Sequence, residues 1–267
     1  MRKAVENAVD ITNALFRWLH IFAGIVWIGM LYFFNWVNGP FVGTMDGDTK
    51  KKVVPELMPR ALFWFRWGAA WTWLTGILLL LLVFYHGGLM FDGGGSWSAG
   101  AGVMVAVVFL APLLYDNLHK SGLGKDPKVF GAVAFVLLAA VVALMAFWGG
   151  FSYRALNIHL GALLGTIMAF NVWQRIWPAQ QIIIKGVKGD GPAADPSVAA
   201  LAAARSRHNV YMSVPLVWTM INQHHVTVPT GLGLPARFAF VLPLAVVLLG
   251  WHIVWHLYKK APTVKGF

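Results

Sequence analysis

The sequence predicts an all-α membrane protein of about seven transmembrane helices packed as a bundle, on three observations. The chain is 58% hydrophobic and 14% aromatic with only 12% charged residues over 267 positions, too apolar for a water-soluble domain. Its apolar runs recur at close to the ~20 residues a helix needs to cross the hydrocarbon. Its net charge of +11 is concentrated in alternate loops, as the positive-inside rule requires of a multi-pass protein.

The spans fall near residues 13–37, 61–86, 99–118, 129–150, 153–177, 208–224 and 236–258 of a single membrane domain, 1–267. The first, RWLHIFAGIVWIGMLYFFNWV, is far longer than a signal-peptide core and lacks a small-residue cleavage site, so no cleavable leader is expected. Trp64, Trp67, Trp97, Trp148 and Trp177 fall near span ends, where amphipathic rings settle at the headgroups. The sixth span is polar at both ends, with His208-Asn209 and Asn222-Gln223-His224-His225, and contains Pro215, so it is expected to lie between other helices. The longest loop, about 178–207, reads as a Gly/Pro hinge, GVKGDGPAADP, followed by a short alanine-rich helix, SVAALAAARSR.

Orientation follows from the cations. One side carries Lys50, Lys51, Lys52, Arg60, Lys120, Lys125, Lys128, Arg175, Lys185, Lys188, Arg205, Arg207, Lys259, Lys260 and Lys265. The other has Arg2, Lys3, Arg154 and Arg237, with Arg17 just inside the span. The N-terminus is therefore expected outside and the C-terminus in the cytoplasm of a bacterial-type inner (plasma) membrane. Topology accounts for the basic charge without any nucleic-acid partner; the partner implied is the bilayer.

With no cysteine, disulfides, iron–sulfur clusters and a covalently attached c-type haem are excluded from these residues. Metal or redox chemistry must use imidazole, carboxylate or thioether ligands, and the nine histidines sort into two layers. His20 and His159 each lie about six residues inside the outer boundary, roughly 9 Å. His86, His224 and His225 lie at outer span ends. His119, His208, His252 and His256 gather toward the cytoplasmic side, with His252 and His256 at i, i+4 on one helix face.

This pattern points to b-type haem, one or two, held by imidazoles from different helices, with a site near each face because one tunnelling step cannot cross ~30 Å of hydrocarbon. His20 and His159 are the outer iron-ligand candidates, and His208, His252 and His256 form the inner set. Arg17 and Arg154, three and five residues before these outer histidines, are placed to meet haem propionates, or alternatively to snorkel to the interface. Ala23, Gly24, Gly161, Ala162 and Gly165 leave room for a flat macrocycle or for close helix contact. Interfacial solvation explains His86, His119 and His225 better than ligation does, and Met212 and Met220 read as packing.

Three stretches carry more than composition: RWLHIFAGIVWIGMLYFFNWVN, NIHLGALLGTIMAFNVWQRIWPAQQ and RSRHNVYMSVPLVWTMINQHH. In order and spacing they resemble the N-terminal membrane domain of the cytochrome-c-linked urate oxidase (urate hydroxylase) family. The resemblance implies a multi-helix membrane domain followed by a cytochrome c domain, oxidising urate to 5-hydroxyisourate without forming hydrogen peroxide. The first span also looks like those of membrane protoporphyrinogen oxidases and copper-resistance membrane proteins. The matching polar positions are Arg17, His20, Trp27 and Asn35, then His159, Thr166, Asn171 and Gln180, then His208, Asn209, Tyr211 and His224. Two departures stand out. The chain stops nine residues after the seventh span, at KKAPTVKGF, with no Cys-x-x-Cys-His, so its electrons are expected to leave for a separate cytochrome c or other redox subunit. The third motif reads HNVY and NQHH where a second asparagine and a tyrosine after the histidine are expected.

Three functions compete on this reading. The first is a membrane oxidoreductase that passes electrons from urate through haem; Arg205, Arg207, His208, Asn209 and Tyr211 are its candidates for binding or catalysis on a planar anion. The second is a non-catalytic haem-bearing anchor or electron-transfer subunit of a respiratory complex. The third, a metal transporter using His252 and His256, has little support from the few carboxylates within spans.

Overall fold

The structure, a computed structural model, describes residues 2–265, with side chains from Asn7 onward. The side chains of Arg2 and Lys3, counted on the outer side, lie outside the described residues. Every regular element among the described residues is helical, and the protein is an all-α, multi-pass membrane protein. Six helices are long and apolar enough to cross a bilayer: α1 (Asn7–Thr44), α2 (Gly47–His86), α3 (Ala99–Lys120), α4 (Pro127–Phe147), α5 (Tyr153–Lys188) and, after the intervening α6, the C-terminal Ala236–Thr263, whose main helix α7 covers Val241–Lys260. α6 (Pro196–Asn222) is longer than the predicted sixth span but too polar to join that set.

The helix starts follow local chemistry. Each of five has a short polar side chain accepting from the first-turn amides, which have no partner within the helix. Asp46 accepts from the Thr49 amide at 2.8 Å, Ser98 from Ala101 at 3.0 Å, Asp126 from Lys128 at 2.7 Å, Ser152 from Ala155 at 3.0 Å, and Asp195 from Ser197 at 2.7 Å. Outside the bilayer, Thr49 bonds to Asp46 hold its carboxyl below the usual carboxylate range, and bonds from Ser197 do the same for Asp195. α5 stops where Gly189 takes φ 90°, a left-handed conformation that suits glycine alone.

Two boundaries differ from expectation. α5 does not end near 177 but continues to Lys188, and the alanine-rich segment is not a separate short helix but the first turns of α6. Alanine is the strongest helix former and nothing between Pro196 and Pro215 breaks the run, so one helix is cheaper than two. Three helices each contain a π-helical turn: Phe33–Asn38 in α1, Leu80–His86 in α2 and Val172–Ile176 in α5. Such a turn accommodates one extra residue and changes the direction of the side chains that follow it.

The chain divides into two compact units. One takes the residues up to Leu79, Met168–Ser213 and those from Trp251 on; the other takes Leu80–Ile167 and Val214–Gly250. α2, α5, α6 and α7 contribute to both. The first unit buries Trp27, Leu31, Phe65, Ala69, Met168 and Val210. Gly68 there lets α1 close in, for a Cβ would meet the Trp27 amide nitrogen at 3.0 Å. The second buries Met104, Val108, Val142, Met145, Leu156 and Leu160. In α5, 83% of the most apolar window is buried, against 17% in α1 and in α4. Polar side chains on α5 therefore meet protein, whereas large apolar residues on α1 and α4, such as Ile25 and Val136, face outward as a bilayer requires.

Candidate functional site

Within the first unit, His20 on α1 reaches α2. Its Nδ1 lies 2.9 Å from the Thr72 carbonyl and 3.2 Å from the Thr75 hydroxyl. A carbonyl only accepts, so in the neutral ring the proton sits on Nδ1 and the lone pair on Nε2. Nε2 makes no hydrogen bond among the described residues. Gly76 makes this pose possible, since a Cβ there would meet the ring Cε1 at 3.0 Å. Arg17, one turn earlier, donates from Nε to Asn13 at 2.9 Å.

Within the second unit, His159 on α5 is fully buried. Its Nδ1–H donates to the Ala155 carbonyl at 2.7 Å, which leaves Nε2 as the acceptor for the Tyr85 hydroxyl at 3.0 Å. Phe151, Tyr85 and Phe84 close round the ring, with centroids 4.8, 5.7 and 6.2 Å away. Toward the start of α5, Asn222 donates to the Tyr153 hydroxyl at 2.6 Å and to Asn157 at 3.1 Å. Gly161 and Gly165 serve close helix contact: a Cβ at 161 would overlap Thr219 and Met220 of α6, and one at 165 would meet Leu216 at 3.3 Å. Arg154 sits half-buried in the first turn.

The basic run at the start of the third motif is split between two faces of α6. Arg205 and Asn209, both fully buried, turn to α5. Asn171 donates to the Asn209 Oδ1 at 2.9 Å, Asn209 to the Met168 carbonyl at 3.0 Å, and Arg205 Nη1 lies 3.4 Å from the Asn171 Oδ1. Arg207 and Tyr211 turn to α7: the guanidinium lies 5.0 Å over the Tyr258 ring, and Tyr211 stacks on Tyr258 at 6.0 Å. The Tyr258 hydroxyl donates to the Asn35 Oδ1 at 2.8 Å, while the Asn35 amide donates to Ser206 at 2.8 Å. The Tyr32 hydroxyl meets Ser213 at 3.0 Å. The first and third motifs thus meet at Asn35–Ser206, and the second and third at Asn171–Asn209.

His252 and His256 stand exposed on α7 with their Nε2 atoms 3.0 Å apart. His208 is half-buried and His224 exposed. Among the described residues no group of three or more histidine, aspartate or glutamate side chains is placed to hold a metal ion. The sequence reading missed Tyr85, Tyr258, Asn157 and Arg66. Arg66 is embedded in FWFRWGAAW and lies 4.1 Å from the Trp177 ring centroid and 5.8 Å from those of Phe63 and Trp173. The aromatic flanks on both sides, FWFRW and VWQRIW, were the available signal.

Polar residues held between helices that otherwise face lipid define the class: a polytopic helical membrane protein with built polar sites, which are expensive in a bilayer and kept where they serve a function. The model of the urate oxidase N-terminal family matches residues 41–265, and the chain belongs to that family. The match begins beyond the first motif, so His20 and Asn35 precede the matched stretch. No curated protein and no solved structure matches the chain.

Proposed function

We propose that this chain is a membrane redox protein that holds b-type haem within its helices, takes electrons from urate, and passes them to a cytochrome c or other respiratory partner in a bacterial-type inner membrane. The observation that carries the reading is the state of His20. Its Nδ1–H is committed to the Thr72 carbonyl and its Nε2 is uncommitted, the tautomer and orientation that iron-ligating histidines have when a second partner holds the ring. His159 has the same tautomer, and its Nε2 becomes available when the Tyr85 hydroxyl turns aside. Arg17 and Arg154 are the propionate candidates, and His208, His224, His252 and His256 supply any further ligand. Bound haem provides a one-electron couple.

For the substrate, Arg207 offers a cation and the parallel Tyr211 and Tyr258 rings offer stacking faces, the chemistry that recognises a planar anion. His208 and Asn209 flank them in sequence; Asn209 is taken by Asn171 and acts by holding α6 in place. Water adding to urate to give 5-hydroxyisourate releases two electrons and two protons; the protons would pass to solvent and the electrons to the partner one at a time, in two passes.

The test is a reduced-minus-oxidised spectrum of the purified full chain with haem stoichiometry, repeated after anaerobic addition of urate. A b-type signal that urate develops, and that His20→Ala abolishes at one site, is the expected result. A haem-free preparation would refute the reading. A haem signal that urate reduces only when another subunit is present would assign the chain to electron transfer without catalysis.

A further inference from the structure

Arg66 lies six residues beyond Arg60 on α2, about 9 Å further along the helix. Arg60 is 72% exposed by side chain and paired with Glu56 at 2.7 Å, a solvated end. Arg66 is enclosed differently. Trp177 covers its guanidinium at 4.1 Å, Phe63 and Trp173 stand at 5.8 Å, and Trp173 is pinned by its own indole N–H, 3.0 Å from the Arg66 carbonyl. Trp67 meets Trp173 edge-on at 5.5 Å. Aromatic faces stabilise the cation from above its plane but accept none of its in-plane donors. The guanidinium makes no hydrogen bond or ion pair with any described residue, and its Nε is buried without a partner.

A planar cation held by its faces, with its two terminal Nη groups unpaired, binds an oxyanion in that plane, two N–H groups to two oxygens. Depth identifies the source. Phe63, Trp64 and Trp67 around it are 44, 59 and 41% exposed, the outward aromatic girdle that marks the headgroup level of a membrane protein. Arg66 lies five residues inside the predicted span 61–86, toward the end that meets the loop bearing Lys50–Lys52, the side where anionic phospholipid attracts basic residues. We propose that Arg66, with Trp177, Trp173 and Phe63, is a binding site for the phosphate of an anionic phospholipid.

The full chain, purified in detergent and exchanged against phosphatidylglycerol or phosphatidylcholine, is to be examined by native mass spectrometry and thermal unfolding, with millimolar inorganic phosphate as a separate arm. The wild type is expected to retain and be stabilised by phosphatidylglycerol over phosphatidylcholine. Arg66→Gln is expected to lose about tenfold or more of that retention, the worth of a charge-assisted hydrogen bond. Arg66→Lys keeps the charge but not the planar fork, and falls between. Equal retention of the two lipids by the wild type overturns the proposal without recourse to any variant. So does undiminished phosphatidylglycerol binding by a folded Arg66→Gln. Stabilisation by inorganic phosphate equal to that by the lipid replaces the lipid with a soluble anion and overturns it too.

Discussion

The imidazole of His20 stands where it does because Gly76 carries no side chain and because the Thr72 carbonyl takes one of its nitrogens. Gly76→Val is expected to tilt the ring off that carbonyl and lower haem occupancy about tenfold, the usual effect of disturbing a ligand's supporting partner. The haem-to-protein ratio measures this, and an unchanged ratio would separate Gly76 from the site. At this scale the histidines were legible because an imidazole in an apolar span is conspicuous. Their partners were not. Tyr85 reads as one more aromatic near a span end, and the carbonyls of Thr72 and Ala155 leave no trace in a sequence at all. Arg66 was hidden by its neighbours: a lone cation close to a basic loop reads as span flank, and only the fold brings Trp173 and Trp177 onto it.

Among the elements, span positions and helix caps were legible because both rest on local chemistry: ~20 apolar residues on one hand, an Asp or Ser ahead of a run on the other. The π turns were not, for one extra residue in a turn leaves hydropathy unchanged. Each nevertheless carries a residue of a cluster: Asn35 in α1, Phe84 and Tyr85 in α2, Trp173 in α5. The glycines of α5 were legible only as an open choice between cofactor clearance and helix contact, and the packing of α6 decides for contact. Gly161→Ala is accordingly expected to destabilise the protein by about 1–3 kcal/mol through overpacking against Thr219 and Met220. Gly102→Ala in α3, where a Cβ meets nothing within 4 Å, should stay within about 0.5 kcal/mol of wild type. Thermal unfolding in detergent, followed by tryptophan fluorescence, compares the two; equal melting would remove the packing argument.

For the molecule as a whole, the charge asymmetry gives an orientation that the absence of cysteine makes simple to measure, since any introduced thiol is the sole one. Lys51→Cys, Lys125→Cys and Lys260→Cys are expected to react with an impermeant maleimide only in inverted vesicles, and Asp92→Cys only in intact cells. Mixed labelling among the three lysine positions would overturn the topology. The all-α membrane class was legible at this scale because membrane insertion imposes its pattern on most of the chain, and the family through three motifs that go beyond that pattern; the division of the basic run between two faces of α6 was not, because it depends on which helices lie on either side. The three π turns carry one last consequence. A π turn holds one residue more than the α turn it replaces, and each residue in a helix turns it by about 100°. Removing one residue from each turn would leave spans one residue shorter and still apolar enough to cross the bilayer, while swinging Asn35, Tyr85 and Trp173 away from Tyr258, His159 and Arg66. Scaffold and chemistry in this protein are thus three short deletions apart.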